Sequence, residues 1–335
     1  MWRKRHILSA MLAASLLISC ASVATRLPDI SMPALSLEKL AQEDIAMTEL
    51  NERSKTLLNI GYPVLRDNAA LCPKTRLGIG AATHSQEDYD KRLRVASLRI
   101  LGAGPRERIF QIVEGGPADQ AGLEIGDELL AADNAPLAPD SDVFQDMLKA
   151  GQATPIRVRR EDFIITKTVT ANRVCDYDLK LSSSAAINAY ANGRAITITT
   201  GMMNFVESPD ELALIIGHEL AHNTMGHIRK IIGNFILSGM ATRYTRPFES
   251  EADYVGLYYQ VRAGYSPDNV EDFWRRLAKI NPKSVNRAKT HPTFPDRYLR
   301  LAAARAEIEA KQAAGEILVP NFKTDADTVL PSGKK

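Results

Sequence analysis

Aromatic side chains are scarce in this chain, at 6% of 335 residues with 2 Trp. It therefore lacks the stacked-ring platform that single-stranded nucleic acid favours. Charge of one sign is missing too. Setting aside Arg3, Lys4 and Arg5 of the leading segment, the 42 Lys+Arg fall to 39 against 40 Asp+Glu. So neutral a body argues against a nucleic-acid partner. No apolar run reaches the roughly 20 residues of a permanent membrane span; the one at Ile7 to Ile18 covers about a dozen. Internal repeats and low-complexity tracts are absent as well. What is present, 45% hydrophobic and 24% charged residues, suits a sizeable core and two or three globular units.

Residues 1–19, with three positive charges ahead of the apolar run, read as a secretory signal. Leu17-Ile18-Ser19-Cys20 resembles the bacterial lipobox, which implies that Cys20 is lipidated and becomes the first mature residue. Ala21 in place of Asp resembles lipoproteins sent to the outer membrane, so the resemblance implies a periplasmic protein held there by its lipid. Ser22-Val23-Ala24 offers ordinary cleavage as the alternative. Residues 20–35 then form a tether. Export matters for Cys72 and Cys175, because an oxidising compartment lets two thiols pair. They flank a β-rich stretch, so a disulfide would staple its base; two small buried hydrophobes is the other reading.

The organisation expected is α+β. Residues 36–72 carry an amphipathic helix capped by Ser36, with a possible break near Gly61-Tyr62-Pro63. Residues 73–174 turn to short β-rich runs. Within them Ile109 to Leu130 resembles the strand, short helix and Gly-Asp turn of a PDZ domain, with Gly122 and Gly126 suited to φ > 0. Leu77-Gly78-Ile79 resembles the loop that captures a peptide's C-terminal carboxylate. A β-unit that merely braces its neighbour is the alternative. Residues 175–318 are mainly helical with a small sheet, including the β-branched strand Ile196-Thr197-Ile198-Thr199. Residues 319–335 read as a flexible tail.

Histidine is concentrated. The chain has 6, and three fall in Gly217 to His227, GHELAHNTMGH. Ser208-Pro209-Asp210-Glu211 marks the start of the helix that carries them. At about 100° and 1.5 Å per residue, His218 and His222 share a face. Glu219 sits one step round, able to take a proton from water without joining the shell. If the helix continues, His227 points roughly 140° away from His222, on another face or behind the site. A second helix opens at Pro247, and there Glu249 and Asp253 share a face. Glu249 could be a third ligand, with Asp253 fixing a histidine tautomer and Glu251 solvated.

HELAH, then Glu249 to Asp253 (ESEAD), Ala263-Gly264-Tyr265-Ser266-Pro267, the ITITTG strand and His291-Pro292 with Arg297 together resemble peptidase family M48. That family includes the CAAX prenyl protease and periplasmic relatives. The resemblance implies a zincin-type domain with one Zn2+ per chain on His218, His222 and Glu249, and Glu219 as general base. It also implies His291 at the oxyanion or over the metal. Polypeptide substrates would add a strand to an edge at Ile196–Thr199, and the PDZ-like unit would take a C-terminal peptide. The expected function is a zinc endopeptidase of the cell envelope acting on misfolded or mislocalised proteins. A PDZ-bearing chaperone with a dormant or structural zinc site is the alternative.

Overall fold

A computed structural model of the chain describes residues 25–137, 147–237, 245–268, 270–286 and 293–323. The signal segment, Cys20, the final residues and His291 lie outside these. The chain divides into two compact units, Met1–Ala41 and Gln42–Lys335. No described helix is long and apolar enough to cross a membrane.

Helix α1 spans Met32–Asp67. It starts at Met32, ahead of the expected Ser36. Ser31 accepts from the Ala34 amide at 3.3 Å, and Pro33 fits the first turn, where an N–H has no helical partner. The Ser36 hydroxyl instead donates to the Met32 carbonyl at 2.9 Å. Of the two readings, a single helix or one broken near Gly61-Tyr62-Pro63, the single helix holds, with Pro63 inside it. Burial of Leu57, Ile60, Tyr62, Val64 and Leu65 on this last stretch offsets the amide bond that proline forfeits. Gly61 is required there: a Cβ would stand 2.5 Å from Leu179 Cδ1.

The β-rich region holds β1 (Thr75–Gly78), β2 (Ala81–His84), α2 (Arg94–Leu101), β3 (Arg108–Ile112), α3 (Pro117–Gln120), β4 (Glu128–Ala132), β5 (Ala135–Pro136), β6 (Ala153–Arg160), β7 (Phe163–Thr170) and β8 (Asn172–Cys175). Six strands form one antiparallel sheet in the order β2-β3-β4-β6-β7, with β5 on β4. Ile79, Ile109, Leu129, Ile156, Val158 and Val169 build a core of its own. Gly122 and Gly126 take φ of +72° and +95°, and the Asp127 carboxylate accepts from the Glu124 amide at 2.9 Å.

Leu77 and Gly78 lie in β1, which pairs with β8, so strands open and close this region side by side. Just before and at the end of that ribbon, Cys72 and Cys175 form a disulfide with Cα atoms 5.6 Å apart. The Tyr62 hydroxyl donates to the Gly78 carbonyl at 3.2 Å, tying α1 to the same place.

The rest comprises β9 (Asp178–Ser182), β10 (Ala189–Ala191), β11 (Ala195–Thr199), α4 (Thr200–Phe205), α5 (Pro209–Thr224), α6 (His227–Leu237), α7 (Arg246–Arg262), α8 (Asp272–Ile280), α9 (Lys283–Asn286) and α10 (Phe294–Ala313). Its sheet runs β10-β11-β9. This corrects the edge-strand reading of Ile196, Thr197, Ile198 and Thr199. They form most of β11, which is central, pairing in parallel with β9 and antiparallel with β10, and is buried throughout. Their alternation reflects sheet character but not which neighbours would flank it. The outer strands are β9 and β10, and on β10 Tyr190 is 45% exposed.

The tail is also firmer than expected at its start. Lys311 donates to the Val319 carbonyl at 2.8 Å, and the Asn321 amide donates to the Tyr254 hydroxyl at 2.9 Å. These bonds strap residues 319–321 to α10 and α7.

Candidate metal centre

Helix α5 begins as its sequence dictates. Ser208 accepts from the Glu211 amide at 3.2 Å, and Pro209 occupies the first turn. Glu211 reaches one residue past the cap, accepting from the Glu207 amide at 2.9 Å. From Glu211 to Asn223 every side chain is buried, so the helix is enclosed on all sides. A polar group placed there must find partners.

It crosses α7 at two glycines. A Cβ on Gly217 would stand 2.5 Å from the Gly256 carbonyl oxygen, and one on Gly256 would stand 2.7 Å from the His218 amide nitrogen. The two backbones therefore touch. This close crossing places Glu249 and Asp253, at the start of α7, beside the imidazoles of α5.

His218 Nε2 and His222 Nε2 lie 3.1 Å apart. Each is 3.6 Å from an oxygen of Glu249, Oε2 for His218 and Oε1 for His222. In a tetrahedral zinc shell with bonds of about 2.0–2.2 Å, neighbouring donor atoms lie roughly 3.3–3.6 Å apart. The two imidazoles and the two carboxylate oxygens thus stand near that spacing, and one ligand atom from each residue lies within 4.8 Å of the others, all three residues buried. Glu219 is buried too, at 7% exposure.

The electrostatics call for a cation. Arg297 clamps Asp253 with two bonds, Nε to Oδ2 at 2.7 Å and Nη2 to Oδ1 at 2.5 Å, and lies 3.5 Å over the Trp274 ring. Asp253 Oδ1 in turn stands 2.9 Å from His218 Nδ1. Burial disfavours charge on His218, but Asp253 and Glu249 outweigh it and raise its pKa to about 10. Burial and the charge of His218 push His222 down to about 3. Two buried carboxylates face one guanidinium, and a divalent ion between the imidazoles would take the place of the proton that otherwise charges His218.

Other residues surprised the sequence reading. Helix α5 ends at Thr224, and Gly226 at φ +67° turns the chain back. His227, wholly buried, therefore does not continue the helix; its Nδ1 lies 3.2 Å from His222 Nδ1. Glu251, expected to be solvated, bonds His227 Nε2 at 2.7 Å. Asn223 was missed altogether. Its amide donates to the Ala195 carbonyl at 3.2 Å and accepts from the Gly193 amide at 2.7 Å, holding the β10–β11 turn to the helix. The overlooked signal was glycine inside two otherwise strong helices, at Gly217 and Gly256. Such a residue costs about 1 kcal/mol there and so points to a close packing.

The family model for Peptidase family M48 matches residues 161–241 and 231–307, and a PDZ domain model matches 108–160. The helical core that carries the site thus matches the M48 peptidase model, over less than half of the chain. Among curated proteins, the mitochondrial metalloendopeptidase OMA1 of Arabidopsis thaliana is 26% identical over 36% of this chain. OMA1 of Schizosaccharomyces pombe is 22% identical over 51% of it. The beta-barrel assembly-enhancing protease of Yersinia pestis is 25% identical over 38% of it. These alignments span 30%, 58% and 34% of the relatives' own lengths.

Proposed function

We propose that the chain is a zinc-dependent endopeptidase exported to the cell envelope and lipid-anchored through Cys20, with polypeptides as substrates. The observation that carries the reading is the convergence of His218, His222 and Glu249, with ligand atoms within 4.8 Å of one another, beside a buried Glu219.

A zinc ion held by those three residues would supply Lewis acidity toward water and the scissile carbonyl. Glu219 takes the proton of the attacking water and delivers it to the leaving amine. Asp253, held by Arg297, keeps His218 in the tautomer whose Nε2 is free to ligate. His291 is assigned the oxyanion or covering role. The substrate backbone would pair with the outer edge of β10, Ala189–Ala191, which Asn223 and the β10–β11 turn hold against the helix of the site. The Leu77-Gly78-Ile79 segment is retained as a docking loop for a C-terminal peptide. Names among the relatives support substrates in the bacterial envelope, one being a beta-barrel assembly-enhancing protease.

The test compares cleavage of an unfolded protein by the mature body, by its Glu219→Gln variant and in the presence of a chelator. The expectation is loss of at least a hundredfold in rate for the variant and complete loss with chelator. Equal cleavage by variant and wild type would remove the mechanism and favour a chaperone with a structural zinc.

A further inference from the structure

The two imidazoles of the centre are backed differently. His218 Nδ1 faces a carboxylate, Asp253, at 2.9 Å. His222 Nδ1 faces another imidazole, His227 Nδ1, at 3.2 Å. Behind His227 lies Glu251, whose Oε2 is 2.7 Å from Nε2. His227 is wholly buried, and its ring packs 5.0 Å from that of Phe248. No solvent can satisfy it.

Hydrogen-bond counting then fixes both rings. A neutral imidazole has one N–H and one lone pair. If His222 is to ligate through Nε2, its proton is on Nδ1, pointing at His227. His227 must accept it, so its own Nδ1 carries the lone pair and its proton sits on Nε2. That proton goes to the Glu251 carboxylate, which only accepts. Every donor and acceptor in the row Glu251–His227–His222 is matched, with the free lone pair of His222 aimed at Glu249 and His218. The reverse set of tautomers would put the His222 proton where the ligating lone pair must be.

We propose that His227 and Glu251 form a positioning relay for this metal centre, in which Glu251 sets the tautomer of His227 and His227 sets that of His222. The relay rests on the metal-centre reading above. It gives the third histidine of the cluster a defined role behind the site. The turn at Gly226 swings the ring back over His222, and α7 supplies Glu251 two residues beyond Glu249. One short segment, 249–253, therefore reaches the site three ways: Glu249 directly, Asp253 behind His218 and Glu251 through His227.

The test measures zinc affinity by chelator competition on the purified body, with unfolding of the metal-free protein recorded alongside. His227→Leu removes the acceptor and should weaken zinc binding roughly ten- to a hundredfold, the usual cost of losing such a partner. His227→Gln, whose carbonyl can accept from His222, should recover most of that. Glu251→Ala, at a half-exposed position, should weaken binding several-fold and alter the visible spectrum of the cobalt-substituted protein. Should His227→Leu fail to fold, the other two variants decide. Zinc affinity within twofold of wild type for Glu251→Ala, or equal losses for His227→Gln and His227→Leu, would overturn the relay. A wild-type protein that takes up no zinc would remove the centre itself, and the relay with it.

Discussion

Buried histidine has opposite surroundings in the two halves of this molecule. In the helical core, His218 lies between two carboxylates and is pushed toward the charged form despite its burial. In the β-rich region, His84 is 3% exposed, stacked on Phe110 at 4.6 Å and 2.7 Å from the Tyr89 hydroxyl, with burial holding it neutral. One region assembles charge around an imidazole; the other seals an imidazole among rings. The difference teaches where chemistry can reside. A helix pair touching through glycine brings acids and bases from two contiguous segments to one point. The sheet has a separate core and spends its buried charges on bracing, as with Glu128 held by Arg108 at 2.8 Å and Arg159 at 2.7 Å.

The largest effect expected on this contrast comes from cutting the staple between the regions. Cys72 and Cys175 are 103 residues apart in sequence, and in the chain-entropy model a loop of that size is worth about 4–5 kcal/mol. The Cys72→Ala/Cys175→Ala protein should lose most of that in denaturant unfolding and show the sheet melting before the helical core. A single transition at the wild-type midpoint would mean that the packing of α1 alone joins the regions.

Next in size is Gly256→Ala. Its Cβ would meet backbone atoms of His218 and Gly217 at 2.7–2.9 Å, so the helices must part. We expect a stability loss of about 3 kcal/mol together with weakened zinc binding. The sheet-region comparator is Gly102→Ala, where φ is +68° and nothing lies within 4 Å of the added carbon. It should cost about 1 kcal/mol from backbone strain alone and leave zinc affinity unchanged. If the two substitutions behave alike, the close crossing does not organise the site.

These contrasts also explain what could be read in advance. HELAH and the acidic start of the next helix were legible because helical periodicity is local: the spacing of His218 and His222 already places them on one face. The same reasoning left His227 either on another face or behind the site, and a glycine at positive φ, breaking the periodicity one residue earlier, put it behind His222. Glu251 keeps the exposure expected of it, at 42% of its side chain, but its bond to His227 was not legible while that partner's side stayed open. In the sheets, alternation in Ile196–Thr199 marked a strand but could not tell centre from edge, because strand neighbours are chosen by distant segments. Ser36 was the cap expected for α1, but Pro33, which suits a first turn, marks Ser31 instead. The crossing of α5 and α7 left only two glycines as its trace.

The smallest effect tests the opposing histidines directly. Burial lowers the pKa of His84 to about 4 from 6.5, with Asp88 and the Leu101 backbone opposing that shift and Arg108 reinforcing it. The folded state therefore binds the proton less readily than the unfolded chain. Stability contributed by the neutral ring is fully present above pH 6.5 and is lost as pH falls toward 4, when the unfolded state protonates first. At about 1.4 kcal/mol per unit, less what solvent recovers, the loss should come to roughly 2 kcal/mol. Urea unfolding of wild type and His84→Gln across this range isolates the effect, because the imidazoles of the metal centre are common to both proteins and cancel in the difference. The two stabilities should converge as pH falls. Parallel curves would mean that His84 titrates normally in the folded protein, and the supposed contrast between a charged helical centre and a sealed sheet histidine would be lost.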